Sequence, residues 1–190
     1  ESESENGVED GEDIQAESGW EVEEGKRITD PYFFDVCVIQ LDDGTYRMYG
    51  ATGKNIESYV SSDGLSWQKE EGVRMPGASF PFVMRLPDGS FRMFYVPPAG
   101  PVIQDHILSA ISSDGINFTA EAGFRYKASG DYEERLSSPR VIKLDDGTYR
   151  MYFTASSGPK DNELVIILSA SSTDGLSFTR DEGIRIDPRN

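Results

Sequence analysis

The strongest constraint on the fold of this chain is a set of three short motifs that recur together. The first motif, Leu-x-Asp-Gly-x-(Tyr/Phe)-Arg-Met-(Tyr/Phe), occupies residues 41–49, 86–94 and 144–152. A second motif, Ser-(Ser/Thr)-Asp-Gly-x-x-aromatic, follows at residues 61–67, 112–118 and 172–178. A third, Gly-x-Arg, closes each copy, and an additional Gly-x-Arg lies before the first. The glycines of the third motif are 47, 51 and 60 residues apart, a period typical of propeller blades or solenoid units.

Each repeat predicts four β-strands. An apolar run comes first, at residues 36–41, 83–86 and 141–144, and the Tyr-Arg-Met-Tyr run follows with the two-residue alternation of a strand. The Asp-Gly pair between them predicts a tight hairpin turn. A serine-rich strand and an aromatic-led closing strand complete the unit, and no segment has a sustained helical period. We expect the aromatic residues that follow the second Asp-Gly pair, Trp67, Phe118 and Phe178, to be buried at equivalent places.

Stacked four-stranded repeats of this length predict an all-β, β-propeller-like array of three four-stranded antiparallel blades, incomplete as a monomer, since propellers have about four to eight blades. We place an acidic flexible tail at residues 1–18, because it carries eight carboxylates and no lysine or arginine. The module then spans 19–190, with an orphan closing strand at 20–28. The blades lie at approximately 29–75, 76–126 and 127–186. Completion requires a homodimer or blades supplied elsewhere.

The net charge of −16 limits the possible partners. Nucleic acids and anionic membranes require a basic surface, so we expect neither as a partner, whereas neutral carbohydrate is compatible with this charge. The single cysteine, Cys37, lies in an apolar run and is interpreted as a buried hydrophobic residue. No apolar stretch approaches the length of a membrane span, and the first residue is Glu1 rather than methionine, so we expect an extracellular or periplasmic protein.

The motifs and the Asp-Pro dipeptide before the first strand resemble those of the five-bladed propeller glycoside hydrolases, the arabinanase, β-xylosidase and fructan hydrolase group. The resemblance covers residues 20–188. It implies a carbohydrate-active module in which one carboxylate acts as base or nucleophile and a second carboxylic acid protonates the leaving oxygen. The alternative is a non-catalytic propeller that binds glycan or protein. Whether the chain is an enzyme is therefore open, with glycoside hydrolase as the activity if it is one.

The resemblance implies three candidate catalytic residues. Alignment on Leu41, Leu86 and Leu144 places Asp35 level with Phe80 and Ser138, whereas alignment on the Asp-Pro dipeptide selects Asp30 instead. Glu134 is the candidate acid, although it is out of register with the other blade openings. The equivalent positions in blades 2 and 3 lack the carboxylates of the family, which favours loss of catalysis.

Candidate substrate-binding residues lie at the same openings. They are Phe34, Phe80 and Arg140; the lone histidine, His106, is a further candidate at the start of a third strand. The sequence contains no metal-ligand spacing, so we expect no cofactor and no metal in the site, although a structural cation such as calcium is compatible with the fold.

The second motif also resembles the Asp-box turns of sialidase propellers, and the arginines of the first motif could then form a carboxylate-binding cluster. These arginines, Arg47, Arg92 and Arg150, instead occupy the same position in every repeat, which is unsuited to converging on one ligand. We therefore interpret them as blade-to-blade ion pairs or hydrogen-bond donors. The aspartates of the second motif are interpreted as turn formers whose side chains accept backbone N–H groups.

Overall fold

A computed structural model describes residues 23–98, 104–158 and 163–189, and over these residues the chain is all-β without helices. The strands of blade 1 are β1 (Phe34–Gln40), β2 (Tyr46–Ala51), β3 (Asn55–Ser61), β4 (Gln68–Lys69) and β5 (Met75–Pro76). Those of blade 2 are β6 (Ser79–Arg85), β7 (Phe91–Val96), β8 (His106–Ser112), β9 (Thr119–Ala120) and β10 (Tyr126–Lys127). Those of blade 3 are β11 (Arg135–Lys143), β12 (Tyr149–Ser157), β13 (Leu164–Ser172) and β14 (Thr179–Arg180).

Each blade is one antiparallel sheet in which successive strands are neighbours. The orders are β1-β2-β3-β4, β6-β7-β8-β9 and β11-β12-β13-β14. The first two strands of each blade are joined by the predicted Asp-Gly hairpin, in which Gly44 has a φ of 84° and the Leu41 amide donates to the Thr45 carbonyl at 2.8 Å. The predicted fold class, three antiparallel blades of a propeller-like array, is confirmed.

The closing strand differs from the prediction, because it is divided. In blade 1, β4 and β5 both pair with β3 and are separated by a turn at residues 71–74. The Arg74 side chain stabilises this turn by donating to the Gly72 carbonyl at 3.1 Å and to the Glu71 carbonyl. Blade 2 repeats the arrangement with β9 and β10, and in blade 3 a single bridge between Ile167 and Ile186 replaces the second segment.

The inner strand of each blade begins earlier than predicted and contains a β-bulge. The pairing register shifts between residues 34 and 37, 79 and 82, and 137 and 140. Within the three bulges Asp35, Phe80 and Ser138 have φ angles of 53°, 54° and 50°. Left-handed backbone is unfavourable for residues other than glycine, so the surrounding hairpin must hold it in place. The alignment that put these three residues level is therefore confirmed by their shared backbone geometry.

The core lies between blades rather than within them. One apolar cluster fills the interface between blades 1 and 2 and includes Tyr49, Val83 and Met93; a second fills the interface between blades 2 and 3. We call the surface that a blade turns towards the preceding blade its first face, and the surface turned towards the next blade its last face. Alternation along each strand places apolar side chains on both faces.

Two blade faces have no neighbouring blade among the described residues. On the first face of blade 1, Val38 is 46% exposed, whereas its equivalents Val83 and Val141 are each 2% exposed. On the last face of blade 3, Ile186 is 62% exposed, whereas its equivalents Met75 and Tyr126 are 8% and 4% exposed. The first face of blade 1 and the last face of blade 3 thus carry apolar side chains like those that are buried between blades.

The expectation that the three repeated aromatic residues are equally buried is correct only for blade 3. The Phe178 ring packs edge-on against Phe94 of blade 2 and is buried. The Phe118 ring packs in the same way against Tyr49 of blade 1 and is half-buried. Trp67 is also half-buried, and no preceding blade covers the first face of blade 1 in the described part of the chain.

The segment before β1 runs across the first face of blade 1. The Phe33 ring packs against Tyr59 at a centroid distance of 4.8 Å and lies on Gly50, where a Cβ atom would be 2.5 Å from the ring. Gly50 is therefore required by close approach. Residues 23–28 form no strand, since the described chain offers no earlier strand for them to pair with. The predicted acidic tail and the start of the predicted orphan strand lie outside the described residues.

Candidate functional site

The inner strands of the three blades form the centre of the array. Strand β6 contacts β1 on one side and β11 on the other, so the three inner strands are neighbours at the centre of the array. Arg140 from β11 lies over the ring of Phe82 from β6, and its positive charge acts on Asp35 and Cys37 from β1. We call these four residues the axial site.

Asp35 is the carboxylate of the axial site. It lies within the bulge of β1, is partly buried, and has left-handed backbone geometry. Burial raises the pKa of the Asp35 carboxyl above its ordinary value of 3.8, and the positive charge of Arg140 offsets part of that rise. A carboxyl group in this setting can accept hydrogen bonds from sugar hydroxyl groups and can exchange protons at mildly acidic pH.

Arg140 is held by two contacts. Its Nη1 donates to the Pro139 carbonyl at 2.8 Å, and its guanidinium carbon lies 5.7 Å from the centre of the Phe82 ring. Stacking on an aromatic ring orients a guanidinium while leaving its edge available for hydrogen bonds. The structure therefore brings the predicted base Asp35 and the predicted substrate-binding residue Arg140 into one site.

Cys37 lies at the base of the axial site rather than at its surface. Its Sγ accepts the Val83 amide at 3.3 Å, and burial raises the pKa of the thiol, opposed by the Val83 hydrogen bond and by Arg140. A buried neutral thiol packs as a small apolar group. The prediction of a buried hydrophobic cysteine is confirmed.

The two predicted phenylalanines flank the axial site differently. Phe34 is exposed at the start of β1 and pairs with Ala51. Phe80 occupies the bulge of β6, is half-buried and packs against the core between blades 2 and 3. Phe34 therefore offers an accessible ring, whereas Phe80 mainly serves the core.

Asp30 lies apart from the axial site. Its carboxylate accepts the Tyr32 amide at 3.0 Å and lies 3.9 Å from Lys69 Nζ, on the outer strand β4. Asp30 thus occupies a turn beside the outer part of blade 1, and of the two candidate bases only Asp35 is close to Arg140.

Glu134 is also outside the axial site. Its side chain is 61% exposed, accepts the Gly158 amide at 3.1 Å and lies 3.7 Å from Arg135. The neighbouring Glu133 is buried instead and joins the outer edges of blades 2 and 3. It accepts the Tyr126 hydroxyl at 2.8 Å and the Ser129 amide at 2.9 Å, and it pairs with Arg180 at 3.1 Å.

His106 begins β8, the third strand of blade 2, and is therefore two strands away from the axis. Its Nδ1 lies 2.6 Å from Asp105 Oδ1, and its ring packs on Phe124 at a centroid distance of 4.7 Å. These contacts place His106 in a separate outer cluster with no link to Asp35 or Arg140.

The arginines of the first motif form ion pairs within a blade, not between blades as predicted. Arg47 Nε lies 2.8 Å from Glu70 Oε2, and the Ser58 hydroxyl donates to the same oxygen at 2.6 Å. Arg92 and Arg150 repeat the pair with Glu121 and Asp181. Of these arginines, Arg47 also makes a hydrogen bond between blades, because its Nη1 donates to the Asp114 carbonyl of blade 2 at 3.2 Å. The repeated arginines therefore do not converge on a ligand.

The aspartates of the second motif are turn formers, as predicted. Asp174 accepts the amides of Leu176 and Ser177 at 2.8 Å each and the Ser172 hydroxyl at 2.8 Å. These donors lower the pKa of Asp174 to about 2, and the equivalent hydrogen bonds lower the pKa of Asp63 and Asp114.

Two members of the axial site, Cys37 and Phe82, were not predicted as site residues. Both are level with Arg140 when the repeats are aligned on Leu41, Leu86 and Leu144, so that alignment already contained the signal. The sequence did not show which side of the strand these side chains face. That depends on the bulge two residues earlier, which shifts the pairing register and so changes the in–out alternation of the strand.

Hydroxyl-lined grooves occur elsewhere on the surface. A cavity of about 320 Å³ in blade 1 is lined by residues that include Thr45, Ser61 and Ser66. Blade 3 has a smaller one of about 250 Å³ at equivalent positions. Because the cavity recurs at one place in the repeat, we attribute it to the blade architecture. Among residues 23–98, 104–158 and 163–189, no group of three or more histidine, cysteine, aspartate or glutamate side chains could hold a metal ion.

Comparison with solved structures identifies the fold. A thermostable family-43 glycoside hydrolase superimposes with a TM-score of 0.68 at 16% identity, over 83% of this chain and 54% of that one. An endo-1,4-β-xylanase from Bacteroides thetaiotaomicron superimposes with a TM-score of 0.66 at 14% identity, over 80% of this chain and 54% of that one. The chain has the fold of the propeller glycoside hydrolases. An endo-arabinase from the same organism also gives 0.66 at 14% identity, over 84% and 66%. The chain spans little more than half the length of the first two structures.

Sequence comparison adds no closer relationship. No protein-family model matches the chain, and no curated protein matches it. At identities of 14–16% the likeness to the solved structures shows the fold alone. Within the described part of the chain, no helix has the length and apolar character needed to cross a membrane.

Proposed function

We propose that this chain is a glycoside-hydrolase-like propeller module that binds neutral glycans at the axial site. The observation that carries the proposal is that Arg140 lies over the Phe82 ring and that its charge acts on Asp35, so that each of the three adjacent inner strands contributes one side chain. Carbohydrate sites combine aromatic faces, which pack on sugar rings, with charged side chains that bond hydroxyl groups. Asp35 supplies acceptors, Arg140 supplies donors, and Phe34 adds an exposed ring at the edge.

Binding is favoured over hydrolysis for this chain. Cleavage of a glycosidic bond by two carboxyl groups requires them on opposite sides of the bond, roughly 5–10 Å apart. Phe80 and Ser138 occupy the bulges equivalent to that of Asp35, and Glu134, just before β11, accepts the Gly158 amide and lies beside Arg135. The described residues thus provide one axial carboxylate. Hydrolysis remains the second candidate function, and it requires a second carboxyl group from outside these three blades.

The similar structures guide the choice of ligands. Their names include a xylanase, an arabinase, an exo-β-1,3-galactanase, a β-fructofuranosidase and mannoside-active enzymes. Most of these enzyme names refer to polysaccharides, which occur outside cells. We infer an extracellular or periplasmic location for this chain on that basis.

The test is calorimetric titration of the protein with xylose, arabinose, galactose, fructose and mannose oligosaccharides, together with an assay for released reducing sugar. We expect binding of at least one series, lost in Asp35→Asn and in Arg140→Gln. Asp30→Asn is the matched control and should bind normally, because Asp30 lies beside Lys69 on the outer strand. Equal loss of binding in Asp30→Asn and Asp35→Asn, or no binding of any series, would contradict the proposal. Released sugar would favour hydrolysis.

A further inference from the structure

Three residues at one position of the repeat lie on neighbouring inner strands and differ in chemistry. They are Cys37 on β1, Phe82 on β6 and Arg140 on β11, and each is four residues before the leucine that begins the first motif. All three follow the bulge of their strand and pair with the second strand of their own blade. A thiol, an aromatic ring and a guanidinium thus occupy the same place in three blades.

The Cys37 thiol joins the inner strand of blade 1 to that of blade 2. Its Sγ accepts the Val83 amide at 3.3 Å, and the thiol donates to the Val83 carbonyl at 3.7 Å. Strand β6 is the edge strand of its sheet, so backbone groups on its open edge need partners from outside the sheet. Cys37 is a partner for both polar groups of Val83, and it therefore holds β6 against β1.

Phe82 makes the corresponding link between blades 2 and 3, but by stacking. It is next to Val83 in the chain, and the centre of its ring lies 5.7 Å from the guanidinium carbon of Arg140. The ring is half-buried and packs against the apolar clusters on both sides of blade 2. Both interfaces between blades therefore determine where the Phe82 ring lies.

Arg140 depends on contacts of this kind for a fixed orientation. An arginine side chain has many rotamers, so a fixed guanidinium position requires groups that hold it. The Phe82 ring is such a group on another strand, whereas the Pro139 carbonyl belongs to the adjacent residue. Within the part of the chain that the structure describes, Arg140 acts on Asp35 and Cys37 through its charge. The strength of that action depends on where the guanidinium is held.

We propose that Cys37 and Phe82 are positioning residues of the axial site, because together they fix the Arg140 guanidinium with respect to Asp35. We call the contacts from Cys37 to Val83 and from Phe82 to Arg140 the inner-strand relay. The thiol sets β6 against β1, and the ring on β6 then sets Arg140 of β11. The effect of the relay on ligand binding rests on the proposed function, whereas the relay itself rests on contacts within the chain.

Carboxyl ¹³C NMR of the Asp35 titration tests the relay without any ligand. Phe82→Leu keeps an apolar side chain but removes the ring, so Arg140 loses its stacking contact and its charge opposes the effect of burial less. We expect the pKa of Asp35 to rise, as in Arg140→Gln but by a smaller amount. Phe91→Leu is the matched control, because the Phe91 ring is also buried between blades and also has an arginine, Arg85, over it at 5.6 Å. It should leave the Asp35 titration unchanged.

Two substitutions of Cys37 test the thiol step in the same titration. Cys37→Ala removes both hydrogen bonds to Val83, so β1 no longer holds β6 by polar contacts and the pKa of Asp35 should rise. Cys37→Ser keeps a donor and an acceptor at this place and should restore most of the original titration. Ile39→Ala is the control, because Ile39 packs against the same apolar cluster from the same strand. It should lower stability and leave the pKa of Asp35 unchanged.

Glycan titration separates the relay from the proposed function. If a glycan series binds, Phe82→Leu should raise its dissociation constant about 2–10-fold, as expected for the loss of an arginine–aromatic contact. An unchanged dissociation constant would contradict the effect of the relay on binding. If no series binds, the proposed function fails, and the Asp35 titration still decides whether the relay exists.

Three results of the Asp35 titration would overturn the inference. An unchanged pKa in Phe82→Leu would show that the ring does not position Arg140. Equal shifts in Phe82→Leu and Phe91→Leu would show general loosening, and equal shifts in Cys37→Ala and Cys37→Ser would show that the thiol acts only by its volume. If the variants unfold, NMR of the unmodified protein decides: we expect slow exchange of the Val83 amide and Arg140 side-chain protons shifted upfield by the ring. The absence of either would contradict the relay.

Discussion

Asp35, on the inner strand of blade 1, lies within the electrostatic influence of Arg140, on the inner strand of blade 3. The two residues are 105 positions apart in sequence, and only the curvature of the blade array brings them together. Burial raises the pKa of the Asp35 carboxyl, and the positive charge of Arg140 opposes that rise.

The first prediction concerns the titration of Asp35. Arg140→Gln removes the charge that lowers the pKa of Asp35, while burial continues to raise it, so the pKa should increase. Carboxyl ¹³C NMR over a pH series measures the change. Lys143→Gln, on the same strand as Arg140, is the control and should leave the Asp35 titration as it is in the unmodified protein. A lower Asp35 pKa in Arg140→Gln would show that the two groups do not interact as described.

The second prediction compares two equivalent ion pairs, one in blade 1 and one in blade 3, that differ in solvent exposure. The side chains of Arg47 and Glu70 are 8% and 16% exposed, whereas those of Arg150 and Asp181 are 40% and 23% exposed. Removing one partner of a buried pair leaves an uncompensated charge, at a cost of about 3–5 kcal/mol, whereas an exposed pair contributes about 0–1 kcal/mol. Arg47→Met should therefore lower the free energy of unfolding several times more than Arg150→Met in chemical denaturation. Similar losses would show that blade position does not determine the strength of the pair.

The third prediction compares two repeated aromatic residues. Phe178→Ala should cost about 3–5 kcal/mol, because it empties a packed place between blades 2 and 3. Trp67→Ala should cost clearly less at low protein concentration, since the first face of blade 1 has no described neighbour. Urea denaturation of both variants at about 1 μM gives the comparison, with equal m-values as the check that both unfold from the same state. A larger loss for Trp67→Ala would require a partner on that face even in dilute solution.

The fourth prediction is loss of stability in acid. Hydrogen bonds from backbone amides hold the pKa of Asp174 at about 2 in the folded chain, below the ordinary value of 3.8. A lowered folded pKa stabilises the protein above the unfolded pKa, and this contribution disappears as the pH falls from about 4 to 2. The pKa values of Asp63 and Asp114 are also lowered in the folded chain, so these residues also stabilise the fold less as the pH falls. The free energy of unfolding should therefore fall over that interval.

Asp174→Asn tests this assignment, because asparagine keeps an acceptor oxygen and has no proton to gain. Its stability should depend less on pH between 4 and 2 than that of the unmodified chain. Glu24→Gln, which removes an exposed carboxylate outside the three turns, should retain the original pH dependence. An Asp174→Asn curve that matches the control would assign the acid sensitivity to other groups.

The blades were predictable because their signals are local and occur three times. Gly44 and its equivalents mark the hairpins, and the alternation around Arg47 and Met48 marks the second strand. The divided closing strand was not predictable in the same way, since its turn depends on Arg74 folding back onto its own backbone. Strand propensity carries no information on such a side-chain contact.

The axial site was only partly predictable for a different reason. Alignment of the repeats identified Asp35 as a candidate base and Arg140 as a substrate-binding candidate, but it could not choose between Asp35 and Asp30. That choice required the path of residues 30–33 across blade 1, which depends on the Phe33 ring packing on Gly50 and Tyr59. Likewise, Glu133 and Glu134 are neighbours in sequence, yet only the fold shows that one is a buried link and the other an exposed charge.

The three bulges have the same backbone conformation but carry different side chains. An aspartate, a phenylalanine and a serine all adopt the same left-handed backbone at this point, so the conformation is imposed by strand pairing and not by the residue that occupies it. A substitution there can therefore change the side chain at the bulge while the backbone of the inner strand stays the same. Duplication of a blade therefore also duplicates the bulge, and the copies can later diverge in side chain at this position while they keep the same backbone.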